Sequence, residues 1–299
     1  MTDVKKVSYY PGCTLKTKAQ NLEASALAAL RALGIDVEEL PRWNCCGAVF
    51  NLAEDDLIRH LAPVRNLIRA QEQGASHVVT ICGQCYNVLA RANRLVRDDE
   101  EKRDTLNLFM DEEPDYRGEV EVLHYLALLR DTVGWEGLRA KVKVPLTELK
   151  VAPFYGCSLL RPGDVSVNGP SEQLFEDFLR ALGATPVSYA GAQECCGSYQ
   201  VLAHPEEQTR RALRVLQSAQ GAGAEALALS CPLCEYNLST RQPAIREQSP
   251  ELAATPSYYF TQLLAVALGL EPELCHFELN DAAALTLLKE KDYIAAVSA

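Results

Sequence analysis

At 299 residues, 48% of them apolar, the chain is long enough for two packed units. A formal net charge of −11 leaves no surplus of Lys and Arg to neutralise phosphates, which argues against a nucleic-acid or anionic-membrane binder and leaves proteins and small molecules as partners. No apolar run reaches the ~18 to 20 residues that span a bilayer, and Met1 to Lys6 are polar rather than leader-like, so a cytoplasmic chain without a membrane span is expected.

In chain order, Val7 to Tyr10 reads as a buried strand, Leu22 to Leu33 as a helix ended by Gly34, and Ile35 to Glu39 as a second strand. Asp56 to Gln73 reads as a helix ended by Gly74, and Val78 to Ile81 as a third strand. Arg97 to Gly118, rich in charge and containing Pro114, reads as a solvated helix and loop. The second half repeats the alternation with a strand at Val151 to Tyr155, helices at Gln173 to Leu182 and Glu206 to Gln220, and a strand at Ala226 to Leu229. Such alternation favours parallel sheets with crossover helices. The expected fold class is α/β, with two duplicated parallel-sheet domains at 1–148 and 149–299, the second with a C-terminal extension.

Ten of the eleven cysteines repeat. Cys13 is followed after 31 residues by Cys45-Cys46, after 35 more by Cys82, and after two by Cys85; Cys157, Cys195-Cys196, Cys231 and Cys234 follow with intervals of 37, 34 and two. The flanks repeat too: Tyr10-Pro11-Gly12-Cys13 against Phe154-Tyr155-Gly156-Cys157, and Cys45-Cys46-Gly47 against Cys195-Cys196-Gly197. A single long period means an internal duplication rather than a solenoid. Each cysteine group sits where a strand ends, so the groups converge at the carboxyl edge of a sheet.

In a reducing compartment, paired cysteines are ligands before they are disulfides. Soft thiolates suit iron–sulfur clusters and zinc. Gly12, Gly47, Gly156 and Gly197 let backbone approach a bound group and free amide N–H groups to bond its sulfur, and Cys82/Cys85 and Cys231/Cys234 at helix starts gain from the helix dipole. A Cys₄ zinc site is the alternative, but four ligands close its tetrahedron and five cysteines recur here. A thioredoxin-like disulfide would leave three cysteines of each set unused.

These motifs resemble the cysteine-rich CCG-domain family, whose pattern is a lone Cys, then Cys-Cys-Gly, then Cys-x-x-Cys; the likeness runs from Val7 to about Gly269. Within that family a chain with both motifs complete is similar to heterodisulfide reductase B subunits. The resemblance implies two noncubane [4Fe-4S] clusters, one held by Cys13, Cys45, Cys46, Cys82 and Cys85 and the other by Cys157, Cys195, Cys196, Cys231 and Cys234, with one cysteine of each adjacent pair bridging irons. It further implies a disulfide or thiol substrate between the clusters, each cluster giving one electron.

The chain lacks a ferredoxin-type cysteine run and a Gly-x-Gly-x-x-Gly fingerprint, so electrons must come from other chains. The resemblance supplies a ferredoxin-like C subunit and a flavin-containing A subunit. It departs at Ser158, where methanogen members carry a His, so only the reaction class is carried over. The competing function is an electron-transfer subunit of a flavin-linked dehydrogenase of lactate, glycolate or succinate type; two intact cysteine sets favour the disulfide enzyme.

Outside the repeat, Cys275 beside His276 reads as a structural thiol. His124, in Leu123-His124-Tyr125-Leu126, reads as a packed or capping residue matched by Tyr259-Phe260-Thr261-Gln262. His60, His77 and His204 read as surface residues. Arg161 reads equally as an anion ligand or a surface ion-pair partner. Asn87 and Asn237 follow the Cys-x-x-Cys pairs at offsets differing by one, as cluster donors or caps.

Overall fold

The computed structural model describes residues 6–48, 57–168 and 173–294. Two four-stranded, all-parallel sheets share one topology. The first has order β2-β1-β3-β4, from β1 (Lys6–Tyr9), β2 (Asp36–Glu39), β3 (His77–Thr80) and β4 (Glu121–His124). The second has order β6-β5-β7-β8, from β5 (Lys150–Pro153), β6 (Thr185–Pro186), β7 (Ala226–Leu229) and β8 (Ser257–Tyr259). The α/β class with a duplicated parallel sheet is thus what the chain adopts.

Helices α1 (Gln20–Leu33), α2 (Leu61–Glu72), α3 (Gly83–Asp98), α4 (Glu100–Phe109), α5 (Tyr125–Thr132) and α6 (Trp135–Lys141) belong to the first half. The second half carries α7 (Leu174–Ala181), α8 (Gln200–Ala203), α9 (Pro205–Gly221), α10 (Pro232–Glu235), α11 (Gln242–Gln248), α12 (Phe260–Ala267) and α13 (Ala282–Glu290). Local chemistry sets the ends. Gly34 (φ 82°) closes α1 in the left-handed region, with its N–H and that of Ile35 returning to Arg31 and Leu30 carbonyls. Asp99 caps α4 by accepting from Lys102 N–H, with Glu100 and Glu101 in the first turn.

Strands β4, β6 and β8 go beyond the strands that the sequence pattern predicts. The helix expected from Asp56 begins at Leu61, after a 3-10 turn at Ile58–His60; Asp56 itself lies outside the described residues. His124 pairs with Thr80 in register, and Tyr259 with Leu229, so the mate of His124 is Tyr259 rather than Phe260.

One hydrophobic core runs through both halves. Its centre is Phe260, fully buried, whose ring meets His124 and Tyr125 of the first half and Phe175 and Phe178 of the second at 5.5 to 6.0 Å between centroids. Packing of α1 on α12 is reinforced by Ser25 Oγ and Thr261 Oγ1 at 2.7 Å and by Thr261 Oγ1 against the Leu22 carbonyl at 3.1 Å, while the Tyr125 hydroxyl ties α5 to α1 by donating to the Ala26 carbonyl at 2.9 Å. No helix among the described residues is long and apolar enough to cross a membrane.

Candidate functional site

In each sheet the order reverses direction at the first strand of its half, β1 beside β3 and β5 beside β7. Open α/β sheets form a crevice at that point, beyond the carboxyl ends of the strands. Cys13 follows β1, Cys45-Cys46 follows β2 and Cys82 follows β3; Cys157, Cys195-Cys196 and Cys231 follow β5, β6 and β7. Cys82 and Cys231 occupy the N-cap positions of α3 and α10, so each Cys-x-x-Cys pair opens a helical segment.

All ten repeated cysteines carry free thiols. Cys13 and Cys45 sulfurs lie 3.5 Å apart, as do those of Cys46 and Cys85. Cys45 and Cys46 perturb each other's ionisation, as do Cys82 and Cys85, and Cys82 and Cys231 do so across the seam between the halves. The same run of influence continues through Cys234, Cys196 and Cys195 to Cys157, in mirror order. Its middle is buried, while Cys13 and Cys45 are exposed and Cys157 and Cys195 half-buried. The thiols follow one another in line, and among the described residues no group of three or more His, Cys, Asp or Glu is arranged to hold a single metal ion.

The line sorts its charges. Contact with Cys45 and Cys85 draws Cys46 well below the ordinary thiol range. Cys195 and Cys234 do the same for Cys196, and Cys231 and Cys85 for Cys82. Their neighbours Cys45, Cys85 and Cys234 are pushed up. Buried thiolates repel one another, so all ten ionise together only against bound positive charge.

Four glycines frame the run, each with positive φ: Gly12 (77°), Gly47 (75°), Gly156 (60°) and Gly197 (98°). A Cβ on Gly12 would stand 3.0 Å from Cys85 Sγ, and one on Gly197 would overlap the Gln208 side chain at 2.8 Å. A thiol-lined cradle that a methyl group would fill, with soft reduced donors, fits an iron–sulfur group.

The two halves differ in what holds the adjacent pair. In the first half the Tyr10 hydroxyl donates to the Asn44 carbonyl at 2.9 Å, just before the Cys45-Cys46 pair; its repeat mate Phe154 has no hydroxyl. Cys196 instead accepts from Asn237 Nδ2 at 3.4 Å, which also donates to the Ser198 carbonyl at 2.9 Å. Gln208 Nε2 donates to the carbonyls of Cys196 and Asn237 at 3.4 and 3.2 Å. A π-turn at Tyr236–Thr240 in the second half accounts for the extra residue before Asn237. Asn87 does another job, crossing between halves to donate to the carbonyls of Ser158 (2.9 Å) and Arg161 (2.7 Å).

The seam at the centre of the run is also asymmetric. Gly83 N–H donates to the Ser230 carbonyl at 3.1 Å; by the repeat, the mate of that bond would run from residue 232 to Ile81. Residue 232 is proline and has no N–H. The Ile81 carbonyl takes His124 Nε2 instead, at 2.9 Å, while His124 Nδ1 accepts from Leu126 N–H and caps α5. Burial pushes His124 down to about 4, against the opposing pull of the Ile81 bond.

A cavity of about 510 Å³ opens between the halves. Cys157, Cys195, Ser158 and Arg161 of the second half face Gln84 and Arg91 of the first across it, and Ser158 Oγ donates to Gln84 Oε1 at 2.7 Å. Among the described residues, no first-set cysteine lines it. Gln84, Asn87 and Arg91 lie at i, i+3 and i+7 on α3, one face of a helix. Sequence reasoning singles out Asn87 alone of the three, although the helical spacing that joins them is visible there. Gln208 and Tyr10 leave no such signal.

Other expectations are corrected or filled in. His60 is buried, not on the surface; the turn before α2 draws it inward. His77 is exposed but paired with Glu121 at 3.1 Å across β3 and β4, and His204 is exposed. Cys275 is wholly buried in a 3-10 turn with its thiol pushed up to about 12 by burial.

The profile of the cysteine-rich CCG domain matches residues 7–90 and 151–239. The chain is 32% identical over 89% of its length to the 8-methylmenaquinol:fumarate reductase membrane anchor subunit of Wolinella succinogenes, covering 93% of that protein. It is 30% identical over 92% of its length to the B subunit of the ferredoxin/F420H2-dependent CoB-CoM heterodisulfide reductase of Methanosarcina acetivorans, covering 93% of it. For the B subunit of a ferredoxin:CoB-CoM heterodisulfide reductase of Methanosarcina mazei the figures are 29%, 93% and 94%. A crystal structure of a hypothetical protein from Helicobacter pylori shares the fold, with TM-score 0.74 and 13% identity over 92% of this chain; the chain spans about half of that protein. With the lone Cys, Cys-Cys-Gly and Cys-x-x-Cys motif complete in both matched segments, the chain belongs to the CCG cysteine-rich domain family.

Proposed function

We propose that the chain is the iron–sulfur subunit of a heterodisulfide reductase-like complex and works on a disulfide at the junction of its two halves. The observation that carries this reading is the gathering of two five-thiol sets, with Cys82 and Cys231 buried at the seam that joins the halves, beside a cavity of ligand size. Cys13, Cys45, Cys46, Cys82 and Cys85 would hold one noncubane [4Fe-4S] cluster and Cys157, Cys195, Cys196, Cys231 and Cys234 the other, in domains at 1–148 and 149–299. Bound there, the clusters supply the two electrons in single steps.

The reaction cleaves one S–S bond, consuming two electrons and two protons and releasing two thiols; in reverse it forms the bond. The chain's own residues provide the setting. Burial of Cys82, Cys85, Cys231 and Cys234 keeps water from the centre, Asn237 holds Cys196, and Tyr10 fixes the segment before Cys46 through the Asn44 carbonyl. Gln84, hydrogen-bonded to Ser158, lines the cavity next to Cys157. Electrons enter from a ferredoxin-like C subunit and, behind it, a flavin-containing A subunit.

A second reading is an electron carrier within a dehydrogenase or reductase complex, which the 32% identity to the Wolinella fumarate reductase subunit favours. The purified, anaerobically reconstituted chain decides between them. Disulfide cleavage coupled to oxidation of a reduced viologen dye supports the first reading; reduced clusters that pass electrons to a dye but never to a disulfide support the second.

A further inference from the structure

One buried hydroxyl beside the thiols breaks the repeat. At the end of β1 the first half has Tyr10, bonded to the Asn44 carbonyl, where the second half has Phe154. One strand over, the exchange is reversed. Lys6 pairs with Asp36 and its mate Lys150 with Thr185, so the register makes Leu40, just beyond β2, the mate of Tyr189, just beyond β6. Leu40 is buried and has no polar side-chain atom; Tyr189 brings a hydroxyl to the same place in the second half.

That hydroxyl is buried and, among the described residues, has no hydrogen-bond partner. Native structures rarely leave a buried hydroxyl unpaired, because its lost hydration goes uncompensated. The neighbouring carboxylate, Glu176, accepts from the Tyr155 hydroxyl at 2.6 Å, and that hydroxyl in turn accepts from Phe175 N–H at 2.8 Å. The 3-10 turn that follows Tyr189, Ala190–Gln193, is tied to the corner before Cys157: the Ala192 carbonyl accepts from Tyr155 and Gly156 N–H at 3.0 and 3.2 Å. A Cβ on Gly156 would stand 3.6 Å from Cys234 Sγ, so this corner packs on the second thiol set. Burial first, then the negative charges of Glu176 and Cys234, push Tyr189 well above the ordinary phenol range, which keeps its proton in place for donation.

We propose that the Tyr189 hydroxyl donates to a sulfur of the iron–sulfur group held by the second cysteine set, on the Cys234 side, and raises the reduction potential of that group. The inference rests on the cluster reading above and adds a donor that the repeat does not contain. A donated hydrogen bond offsets part of the negative charge gained on reduction. Tyr189 thereby joins Asn237, the donor to Cys196, in making the second centre the easier of the two to reduce.

The test is a spectroelectrochemical titration of the anaerobically reconstituted chain, with iron content measured first. Wild type is compared with Tyr189→Phe, with Tyr189→Leu, which installs the residue of the first half, and with Tyr258→Phe, whose lost hydroxyl serves the Ala284 carbonyl instead. Both Tyr189 variants should keep full iron and move one of two transitions downward, the one that Asn237→Leu also moves. At the wild-type midpoint of that transition the ratio of reduced to oxidised centre should fall about ten-fold. Tyr258→Phe should move neither transition. In resonance Raman spectra, the shift of the iron–sulfur stretching bands on transfer to heavy water should shrink in Tyr189→Phe. Unmoved transitions at full iron, or an equal shift in Tyr258→Phe, overturn the inference and leave the cluster assignment standing. Loss of iron from both Tyr189 variants makes the residue a structural one and overturns it as well. A wild-type chain that binds no iron removes the cluster reading, and the inference with it.

Discussion

Cys82 and Cys231 open the two Cys-x-x-Cys helical segments in opposite halves of the chain, and both are buried at the seam where Gly83 N–H donates to the Ser230 carbonyl at 3.1 Å. Each half alone supplies five thiols; this seam brings the two sets to one place. If the five-cysteine sets are ligand sets, the wild-type chain should carry about eight irons, four in each of two clusters, with matching acid-labile sulfide. Cys196→Ser should reduce both to about half and abolish disulfide turnover. Full iron content and activity in that variant would remove the ligand assignment, and stoichiometric zinc in the wild type would remove the cluster.

Asn237 gives a way to address one of the two centres alone. A donor to a cysteine sulfur favours the more negative, reduced state of a cluster, so losing it lowers the reduction potential. Asn237→Leu, which removes the bond to Cys196, should shift one of two redox transitions downward with iron content preserved. A spectroelectrochemical titration reads this directly. Both transitions shifted alike, or neither, would mean that Asn237 does not act on a single centre.

Gly12 and Gly34 have nearly the same backbone, φ 77° and 82°, but of the two only Gly12 lies against a sulfur. Alanine at either position carries the left-handed strain of about 1–2 kcal/mol. Gly34→Ala should show that loss and nothing more, because its Cβ meets no atom within 4 Å. Gly12→Ala should also displace Cys85 and lower the iron bound by the first set. Equal iron in the two variants would refute the cradle.

Much of the fold and of the site is legible in the sequence. The repeat locates every thiol of the run, and strand-end placement brings each set to one sheet edge. How the halves dock is not legible, since the seam beside Cys82 and Cys231 is set by packing of α1 on α12, by the Gly83 to Ser230 bond and by Asn87, which reaches carbonyls more than seventy residues away. The offset of Asn237 from the position of Asn87 has no meaning in one dimension; the π-turn supplies it. Strands β6 and β8 are only two and three residues long, too short to leave a periodic pattern, while β4, as long as the strands that are legible, runs straight into α5 as β8 does into α12. Proline at 232 is visible in the sequence, but its consequence requires knowing the mate of the Gly83 bond.

Phe260 should report whether the halves unfold as one. Phe260→Ala removes a fully buried ring that touches both halves, at an expected cost of about 3–5 kcal/mol. Thermal unfolding of the variant should remain a single transition at a lower midpoint. Two resolved transitions would mean that the shared core does not couple the halves.

His124 makes the acid side of the stability curve testable. In the unfolded chain its imidazole titrates near 6.5, whereas in the native structure burial holds it down to about 4. The unfolded state therefore binds the proton first. Stability is complete above about pH 6.5 and declines as pH falls toward 4, by roughly 3 kcal/mol in total if His124 acts alone. Replacing His124 with Phe keeps an aromatic ring against Tyr86 and Phe260 but orphans the Ile81 carbonyl and uncaps α5, a loss of about 1–3 kcal/mol that does not vary with pH. Wild type and His124→Phe should thus differ most near neutrality and converge toward pH 4, in thermal midpoints measured every half pH unit. Parallel curves over that window would show that His124 is not the group that titrates.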